Sequence, residues 1–555
     1  MSVFLYKIFG YWNTLRYLRI VQITGRIWRN FKQVKIDLSA AEDLRELAGT
    51  WVKPVQQDKR MVGKNTFRFL NETHQIKTAA DWNSDKWAKL WIYNLHYFDD
   101  LNAVDSEQRV DWHRSLIQRW IDENPPGSGC GWEPYPSSLR IVNWIKWALF
   151  GNQLDDGWIN SLAVQVRLLK QNLETHLLGN HLFANAKALL FAGLFFDGEE
   201  ANSWYKTGKK LVEQELPEQV LADGGNFELS TMYHVIFLED LMDLVNLHKT
   251  YSKIPPHGIS EKIPPMFKWL EIMSHPDGKI SLFNDAAHGI RPDLLLYSDY
   301  GIRLLLFPDR LARIKGFSDS TAGFIDLSES GYSRVQMGDA VALIDRAAVG
   351  PDYLPGHAHA DTLSFELSLF GQRVVVNSGT SVYGIGADRQ WQRSTVAHST
   401  VMIDGEDSSE VWGSFRVARR ARVFDREEEE CERKVRLSAC HDGYKRLSGN
   451  PVHCREWLFE EGKLTLFDKI TGQGEHEVMI ILPLYPEVKV IDIGENRVLL
   501  DVVGNNVEVV IDGKGILEVM KSNYHPEFGL SINNSHLIFR SHAALPSSIT
   551  TRIGW

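Results

Sequence analysis

Cysteine is scarce in this chain of 555 residues. The four cysteines are Cys130, Cys431, Cys440 and Cys454, and no two of them form a Cys-x-x-Cys pair. This spacing argues against a thiolate zinc site and against a disulfide framework. Cys440 and Cys454 are able to pair across neighbouring strands, but we expect all four side chains to be reduced, partly buried thiols.

An excess of positive charge and a long apolar run are also missing. The chain has 61 Lys and Arg against 71 Asp and Glu, which gives a net charge of −10. Without a positive field over the surface we expect no nucleic-acid partner, and an anionic ligand has to meet a local cluster of donor groups. No segment reaches the ~18 apolar residues that a bilayer-spanning helix needs, so we expect no transmembrane segment.

The opening stretch lacks the features of a secretory signal. It reads MSVFLYKIFGYWNTLRYLRIVQITGRIWRNF, and Arg16, Arg19, Arg26 and Arg29 interrupt its apolar residues. Such a segment is typical of a basic amphipathic helix, which lies either on a membrane or on the protein itself. We favour packing against the protein. Without a clear signal peptide, we expect a bacterial protein that is cytoplasmic or exported by a non-standard route.

Aromatic residues, in contrast, are plentiful, with 18 Trp and an aromatic content of 11%. Flat rings stack on sugar faces, which suits a carbohydrate-binding protein. A large helical core uses tryptophan as well, and composition alone favours the core. The length of the chain predicts two or three domains rather than one.

Two kinds of periodicity divide the chain. Segments before about residue 310, such as HLFANAKALLFAGLFF, carry apolar residues at three- and four-residue spacing, which predicts helices. From about residue 330, segments such as TLSFELSLFGQRVVVNSG alternate with a period of two, which predicts antiparallel strands. We therefore predict a helical segment at 1–40, a helical domain at 41–320 and an antiparallel β-sandwich domain at 321–555.

Polar residues open two of the predicted helices. Asn180 and His181 begin NHLFANAKALLFAGLFF, where they either cap the helix or help its first amides to bind a carboxylate. Tyr233 and His234 follow the glycine-rich loop of DGGNFELSTMYHVIF. The unperturbed pKa of tyrosine is about 10, so Tyr233 is either a packed ring or a general acid, and Glu228 either orients it or caps the helix.

Two segments with histidine belong to the predicted sheet domain. In GHAHADTLSFEL, the side chains of His357, His359 and Asp361 share one face if the strand has already begun there. Imidazoles on one face are metal ligands, proton carriers or merely polar strand residues. The segment WQRSTVAHSTVMIDG adds Arg393 and His398 at the start of another strand.

These clusters resemble the heparinase II/III-like polysaccharide lyases. The similar motifs are WIYNLHYFDDL, GWEPYPSSLRIVNWI, GNHLFANAKALLFAGLFF, DGGNFELSTMYH, HADTLSFEL and AHSTVMIDG, in the family's order, over roughly residues 80–410. Each motif alone is weakly specific, whereas six in order are specific. The resemblance implies an α+β multidomain fold, with an N-terminal incomplete (α/α) toroid followed by a C-terminal antiparallel β-sandwich.

The resemblance also implies roles for individual residues. Asn180, with His181, is similar to the group that neutralises the substrate carboxylate. Tyr233 is similar to the residue at the glycosidic oxygen, as acid and also as base, and His357 is similar to the second proton-transfer group. His398 is similar either to a further catalytic histidine or to a metal ligand. The residues expected to contact the substrate are Arg140, Glu228, His234 and Arg393.

A structural metal is a further implication, because some members of this family hold one, usually zinc. The resemblance implies zinc or another divalent metal at His359, Asn377 and His398. Asn377 stands where the family often has aspartate. A neutral amide is a poorer zinc ligand than a carboxylate, which weakens the expectation, although Asp361 is available as a substitute. We expect no other cofactor.

The activity that the resemblance implies is cleavage of a uronic-acid-containing polysaccharide by β-elimination, which leaves 4,5-unsaturated uronate ends. Glycosaminoglycans, alginate and bacterial exopolysaccharides all contain uronates, and the sequence does not choose among them or between endo and exo action. Two alternatives stay open: a uronate C5-epimerase, and a non-catalytic carbohydrate-binding protein of a surface-polysaccharide system. An acidic polysaccharide is the expected partner, and the oligomeric state is left open.

Overall fold

The computed structural model describes residues 3–306, 323–431 and 433–555. Helices dominate the chain up to residue 303, and antiparallel sheets dominate it from residue 323. This order confirms the predicted α+β multidomain architecture. The predicted border between residues 320 and 321 lies outside the described residues, so the division into 1–40, 41–320 and 321–555 stays a prediction.

Several of the described helices pack around the helix at Gly179–Phe195 (α7), which is buried on nearly all sides and therefore central. Helices α5, α8 and α9 lie against it. The helices are α1 (Val3–Leu15), α2 (Ile20–Phe31), α3 (Lys89–Tyr97), α4 (Val110–Glu123), α5 (Pro134–Leu149), α6 (Asp156–Gln171), α7 (Gly179–Phe195), α8 (Glu199–Gln219), α9 (Thr231–Thr250), α10 (Ile259–Ile272), α11 (Leu294–Arg303) and α12 (Ala387–Arg393).

Much of the tryptophan content is used in the core of the helical domain. These side chains are fully buried and pack edge to face with one another and with phenylalanine rings, which is the arrangement that aromatic quadrupoles favour. Many of the tryptophans thus serve the packing of the core, which is the interpretation that composition alone favoured. The tryptophans of this core that are less than 2% exposed are Trp82, Trp91, Trp120, Trp144, Trp147 and Trp204.

The strands form three principal antiparallel sheets and two small ones. The order is β4-β5-β6-β7-β8 in the first, β20-β21-β16-β9 in the second and β12-β13-β14-β15-β22-β19-β18-β17 in the third. The strands are β1 (Met61–Gly63), β2 (Thr66–Phe69), β3 (Glu72–Gln75), β4 (Gly323–Leu327), β5 (Tyr332–Met337), β6 (Ala340–Asp345), β7 (Phe365–Leu369), β8 (Gln372–Val375), β9 (Val401–Ile403), β10 (Val411–Trp412), β11 (Arg416–Val417), β12 (Val423–Cys431), β13 (Lys434–His441), β14 (Val452–Glu460), β15 (Lys463–Thr471), β16 (Glu475–Pro483), β17 (Lys489–Ile493), β18 (Arg497–Val502), β19 (Asn505–Asp512), β20 (Ile516–Tyr524), β21 (Ile532–Ala544) and β22 (Ser547–Gly554).

The three principal sheets share one apolar core. Phe365 from the first sheet, Ile480 and Phe539 from the second, and Leu437 and Trp457 from the third are all buried in the same cluster. Along β13 and β14, buried and less buried residues alternate strictly, because successive side chains of a strand point to opposite faces. The predicted sandwich is therefore the observed one.

Contacts between the two domains fix the loop that precedes α9. The hydroxyl of Tyr332 on β5 donates to the carbonyl of Leu229 over 2.7 Å. The indole of Trp269 on α10 donates to Ser330 Oγ over 2.9 Å. Both rings are fully buried. The loop is therefore held against the first sheet just before α9, the helix that carries Tyr233 in its first turn.

The expectation of four reduced thiols is wrong for one pair. Cys440 on β13 lies directly opposite Cys454 on β14, with 4.0 Å between their Cα atoms, and the two sulfurs are bonded. The strand register, which the sequence alone does not reveal, places them within bonding distance. Cys130 and Cys431 are free.

The first two helices lie against the protein body, as we favoured from the sequence. Trp412 Nε1 donates to Thr14 Oγ1 over 3.2 Å on the side of the sheet domain. Gln22 Nε2 donates to the carbonyl of Tyr353 over 3.1 Å. None of the helices in the described ranges is long and apolar enough to cross a bilayer.

We predict that two of the four cysteines are protected in the unreduced protein. Alkylation under denaturing, non-reducing conditions should label Cys130 and Cys431 only, because the other two sulfurs are bonded to each other. Peptide mass spectrometry then shows Cys440 and Cys454 as one cross-linked pair. Labelling of all four residues before reduction would contradict the bond between Cys440 and Cys454.

Candidate active site

A small cavity lies beside the first turns of α7 and α9. Three of the predicted residues, Asn180, Glu228 and Tyr233, share its wall, and His357 of the sheet domain contacts two of them from behind. The predicted proton-transfer residues of the two domains therefore meet at one place. The residues of the wall are Tyr135, Leu139, Asn180, Ala184, Asn226, Glu228, Tyr233, Ile236, Phe237, Asp240 and Arg291.

Helix α7 begins at the edge of this cavity. Gly179 has a φ of +55°, and a Cβ at this position would lie 2.9 Å from Glu228 Oε1, so only glycine lets the carboxylate come so close to the helix start. The amide of Asn180 donates to the same oxygen over 3.4 Å. The side chain of Asn180 is thus placed where the positive end of the helix dipole faces the cavity.

His181 lies beside the cavity rather than on its wall. Its Nδ1 is 3.2 Å from Glu174 Oε1, and its ring packs on that of Tyr135 with 4.5 Å between centroids. Its side chain is about one-third exposed, so it is accessible from solvent. It stands one residue beyond Asn180 and faces the outer rim of the site.

Tyr233 is held at the start of α9 by a helix cap. Ser230 Oγ accepts a hydrogen bond from the Tyr233 amide over 3.2 Å, which fixes the first turn. The Tyr233 ring lies against His357 with 3.9 Å between centroids, and its hydroxyl is 3.1 Å from that of Tyr383. The hydroxyl is therefore positioned by packing on one side and by a second phenol on the other.

Burial, together with the neighbouring Tyr383, raises the pKa of the Tyr233 hydroxyl well above its usual value. A buried phenolate is unfavourable because it loses its hydration. Tyr233 is therefore protonated at neutral pH. Of the two roles that the resemblance implies for it, the environment favours the proton donor over the base.

His357 lies between two carboxylates. Its Nδ1 is 3.0 Å from Asp285 Oδ2, whereas its Nε2 is 3.4 Å from Glu228 Oε2. Because the first distance is that of a hydrogen bond and the second is long, we assign the ring proton to Nδ1. The lone pair of Nε2 is then directed toward Glu228, which lines the cavity, while Tyr233 packs on the face of the ring.

Asp285 binds four side chains and is completely buried. Besides His357, its carboxylate accepts hydrogen bonds from His359 Nε2 over 2.9 Å and from the guanidinium of Arg389, with one Arg389 contact at 2.7 Å. Thr380 adds a longer contact of 3.4 Å. Burial opposes ionisation, but the Arg389 charge and the hydrogen bonds from the two histidines outweigh it and hold the pKa of Asp285 well below its usual range.

Glu228 differs from Asp285 in the direction in which its surroundings shift its pKa. Burial raises the pKa of the Glu228 carboxyl, and the opposing influence of His357 is smaller. The pKa values of the two carboxyl groups that flank His357 are therefore shifted in opposite directions, and Asp285 is the permanent anion. Pairs of titratable groups whose pKa values differ in this way are typical of acid–base sites.

His359 and His398 form a hydrogen-bonded chain that leads away from the cavity. His359 Nδ1 is 3.2 Å from His398 Nε2, and His398 Nδ1 is 3.0 Å from the side-chain amide of Asn377. Burial lowers the pKa of His359 to about 4 and that of His398 well below its usual value, so both rings are neutral. Each ring then has one proton to donate. Asn377 Oδ1 is the atom nearest to His398 Nδ1, but a chain in which His359 donates to Asp285 needs a donor there, so we assign the Asn377 amide with its N–H turned to His398.

This chain does not fit a metal. Every ring nitrogen of His359 and His398 already has a partner, and Asn377 contributes a neutral amide. Asp361 is directed elsewhere, because its carboxylate accepts from the amide of Asn284. Over residues 3–306, 323–431 and 433–555, no group of three or more His, Cys, Asp or Glu side chains could hold a metal ion. The expectation of zinc at these residues is therefore not supported.

Arg140 and Arg393 are absent from the cavity wall. Arg140 is fully buried and donates to the carbonyl of Gly131 over 2.8 Å and to Gln165 Oε1 over 2.9 Å. Arg393 is also buried and donates twice to the carbonyl of Ala358, the residue between His357 and His359. The contacts of both arginines fit a structural role, and Arg393 supports the histidine segment from behind.

His234 has a similar position inside the protein. It is fully buried, its Nε2 is 2.9 Å from the carbonyl of Met266, and its ring stacks on that of Trp269. Burial lowers the pKa of His234 to about 3. It therefore packs the back of α9 rather than the cavity, where substrate contact was expected.

Several residues of the site were not predicted from the sequence. Asp285, Arg389, Tyr383 and Arg291 all contact the predicted residues or line the cavity. Asp285 occurs in FNDAAHG, which has no periodicity and no motif that would mark a buried carboxylate. The neighbours Asn284 and His288 are polar as well, so the stretch does not single out Asp285.

The family models match both domains. The model described as heparinase II/III N-terminus matches residues 56–313, and the model described as heparinase II/III-like, C-terminal matches residues 319–555. The chain belongs to the heparinase II/III-like family. Tyr233 lies in the first matched range and His357 in the second, so the site is shared between the two parts of the family's architecture.

Curated relatives share part of this chain. The heparin-sulfate lyase of Pedobacter heparinus is 29% identical over 347 residues, which cover 58% of this chain and 49% of the relative. The heparin-sulfate lyase of Bacteroides stercoris is 28% identical over 245 residues, which cover 41% of this chain and 36% of the relative. The chain thus spans about half, or less, of the length of the curated relatives it matches.

Solved structures share the fold. A crystal structure of heparinase III superposes with a TM-score of 0.69 at 19% identity and covers 86% of this chain and 80% of its own. A heparan sulfate lyase mutant from Pedobacter heparinus gives 0.60 at 20% identity, with 88% and 81% covered. At such identities the likeness shows the fold alone, which confirms the incomplete toroid followed by a β-sandwich.

We predict that Asp285→Asn destabilises the protein strongly. The substitution leaves the Arg389 guanidinium buried without its anion, which typically costs about 3–5 kcal/mol of the free energy of unfolding. Asp345→Asn is the matched control, because burial and the neighbouring Asp361 raise the pKa of Asp345 well above its usual value, so the amide replaces a carboxyl whose ionised form is disfavoured. Urea unfolding followed by circular dichroism compares the two. Equal stability of both variants would show that Asp285 does not anchor the site.

A second prediction concerns stability in mild acid. The pKa values of His96 and His234 are lowered to about 3, and those of His248, His359 and His536 to about 4, all chiefly by burial. Because these pKa values lie below the unfolded value of 6.5, the unfolded chain binds more protons. Stability is therefore full above pH 6.5 and falls by about 1.4 kcal/mol per pH unit for each proton taken up below it.

Urea unfolding at several pH values between 5 and 6.5 measures the slope of the free energy of unfolding against pH. His234→Gln should reduce it by about one proton, whereas replacement of the exposed His257 by Gln should leave it unchanged. A free energy of unfolding that is constant over this interval in the parent protein would contradict the burial of these imidazoles in their neutral form.

Proposed function

We propose that this chain is a polysaccharide lyase that cleaves a uronic-acid-containing glycosaminoglycan by β-elimination. The observation that carries the proposal is the contact between Tyr233 and His357, one from each domain, beside the cavity that Tyr233 and Asn180 line. Membership of the heparinase II/III-like family and the similarity to two heparin-sulfate lyases support the substrate class.

The chemical difficulty of β-elimination lies in the proton at C5 of the uronate. This proton is weakly acidic while the adjacent carboxylate carries a full negative charge. Donor groups must offset that charge so that the enolate-like intermediate becomes accessible. Asn180 at the positive end of α7 and the guanidinium of Arg291 line the cavity and supply such donors.

His357 suits the removal of the C5 proton. Its Nδ1–H donates to the permanent anion Asp285, so its Nε2 lone pair is free of a short hydrogen bond. The same carboxylate stabilises the imidazolium that forms when Nε2 takes the proton. A carboxylate behind a histidine base has this role in other enzymes as well, because it fixes the tautomer and the ring orientation.

Tyr233 suits the donation of a proton to the departing O4 oxygen. Its hydroxyl is protonated at neutral pH because burial and Tyr383 raise its pKa. The hydroxyl of Tyr383, 3.1 Å away, is placed to share the negative charge that remains on Tyr233 after the transfer. The C4–O bond breaks as the C4–C5 double bond forms, and no water is consumed.

We predict that Tyr233→Phe abolishes the activity without unfolding the protein. Loss of a general acid typically lowers the rate by about 100-fold or more. Tyr251→Phe is the matched control, since Tyr251 follows the other end of α9 and its buried hydroxyl has no hydrogen-bond partner. The assay follows the ultraviolet absorbance of unsaturated uronate ends on heparan sulfate, chondroitin sulfate, hyaluronan and alginate.

Full activity of Tyr233→Phe on the best polymer would contradict the mechanism. The epimerase alternative gives a different result in heavy water. An epimerase introduces deuterium at C5 of an uncleaved chain, whereas a lyase produces unsaturated ends. If no polymer acquires unsaturated ends or deuterium, the chain is a binding protein and not an enzyme of either kind.

A further inference from the structure

Helix α2 packs against the rest of the protein through its polar face. Gln22 is 1% exposed and donates to the carbonyl of Tyr353, Gly25 packs against the backbone of His176, and Arg29 contacts the ring of the same histidine over 3.1 Å. Residues 22, 25 and 29 are three and four positions apart, so they lie on one face of the helix. This face is the one that contacts the body.

The opposite face of α2 is apolar and exposed. Its side chains recur at the same three- and four-residue spacing, half a turn away from the contact face. In a globular protein the apolar face of an amphipathic helix is normally the buried one, so the arrangement is inverted. The exposed fractions are 79% for Ile20, 43% for Ile23, 56% for Ile27, 70% for Trp28 and 77% for Phe31.

Helix α1 also exposes apolar side chains. Phe9, Trp12 and Leu15 are each about half exposed or more. The hydroxyl of Thr14 and the ring of Tyr11 contact Trp412, so this helix also is attached to the body. We call the exposed apolar residues of α1 and α2, namely Phe9, Trp12, Leu15, Ile20, Ile23, Ile27, Trp28 and Phe31, the outer face.

The segment that carries the outer face contains basic but no acidic residues, and two of its arginines, Arg19 and Arg29, contact Glu218 and His176 of the body. No aspartate or glutamate precedes Asp37, although the chain as a whole has a net charge of −10. A positive segment on a negative protein points to an anionic partner. The basic residues of the segment are Lys7, Arg16, Arg19, Arg26, Arg29, Lys32 and Lys35.

We propose that the outer face binds the surface of an anionic phospholipid bilayer. Tryptophan, phenylalanine and isoleucine enter the boundary between headgroups and acyl chains, while arginine and lysine reach the phosphates. A second copy of the chain fits less well, because two outer faces in contact would bring like charges together. The proposal does not depend on the proposed lyase activity.

Binding would orient the protein on the bilayer. Arg19 forms an ion pair with Glu218 at the end of α8 and lies over the ring of Tyr353. Tyr353 stands four residues before His357 in the chain. The helix that meets the lipid is therefore attached to the segment that carries the histidine of the site.

Vesicle co-sedimentation of the full chain tests this proposal. We expect the protein to pellet with vesicles of phosphatidylcholine and phosphatidylglycerol, less so as the salt concentration rises, and not with phosphatidylcholine alone. The double variant Ile27→Ala with Trp28→Ala should bind about tenfold more weakly or worse. The control double variant, Ile254→Ala with Ile516→Ala, removes equally exposed apolar side chains elsewhere and should bind like the parent.

Three outcomes would overturn the proposal. The first is that no vesicle binds, the second is equal binding to the neutral vesicles, and the third is equal binding by the Ile27, Trp28 double variant. Sedimentation velocity without lipid identifies the rival occupant. A dimer that the double variant abolishes, together with absent vesicle binding, would make the outer face an interface between copies. Circular dichroism verifies that each variant is folded.

Discussion

The buried carboxylate of Asp285 is the interaction on which the site depends. It comes from the last part of the helical domain, yet its partners His357, His359 and Arg389 belong to the sheet domain. Arg389 offsets the cost of a buried charge, and the two histidines are held in one tautomer and one orientation. The carboxylate therefore aligns the two domains and sets the angle at which His357 meets Tyr233.

The same carboxylate accepts hydrogen bonds from two histidines whose other contacts differ. In the proposed mechanism, Asp285 supports His357 in proton transfer beside the cavity. His359 uses it as the end of a neutral chain that continues through His398 to Asn377. Replacement of an acidic ligand by Asn377 removes the charge that a divalent cation needs, and hydrogen bonds occupy the ring nitrogens instead. Two neighbouring histidines of one motif thus have different surroundings and different roles.

The sequence predicted the fold class because periodicity is a local property, and it grouped Asn180, Tyr233 and His357 through motifs in a fixed order. It could not reveal Asp285, whose contacts with His357 and Arg389 join residues 72 and 104 positions apart. The same reason applies to the Cys440–Cys454 bond, which depends on strand register. The sequence predicted that Arg140 and His234 contact the substrate because both are polar residues within motifs. The structure shows that both are buried and bond to carbonyl groups inside the protein.

The most direct test of the account is the mass of the products that the protein forms from a purified, size-defined heparan sulfate oligosaccharide. Elimination breaks the chain without adding water, so the account predicts fragments whose masses add up to that of the substrate, with the unsaturated residue at the new non-reducing end. Fragments whose masses exceed that sum by one water would show hydrolysis. Either this result or an unbroken oligosaccharide of unchanged mass would contradict the assignment of His357 and Tyr233 to β-elimination.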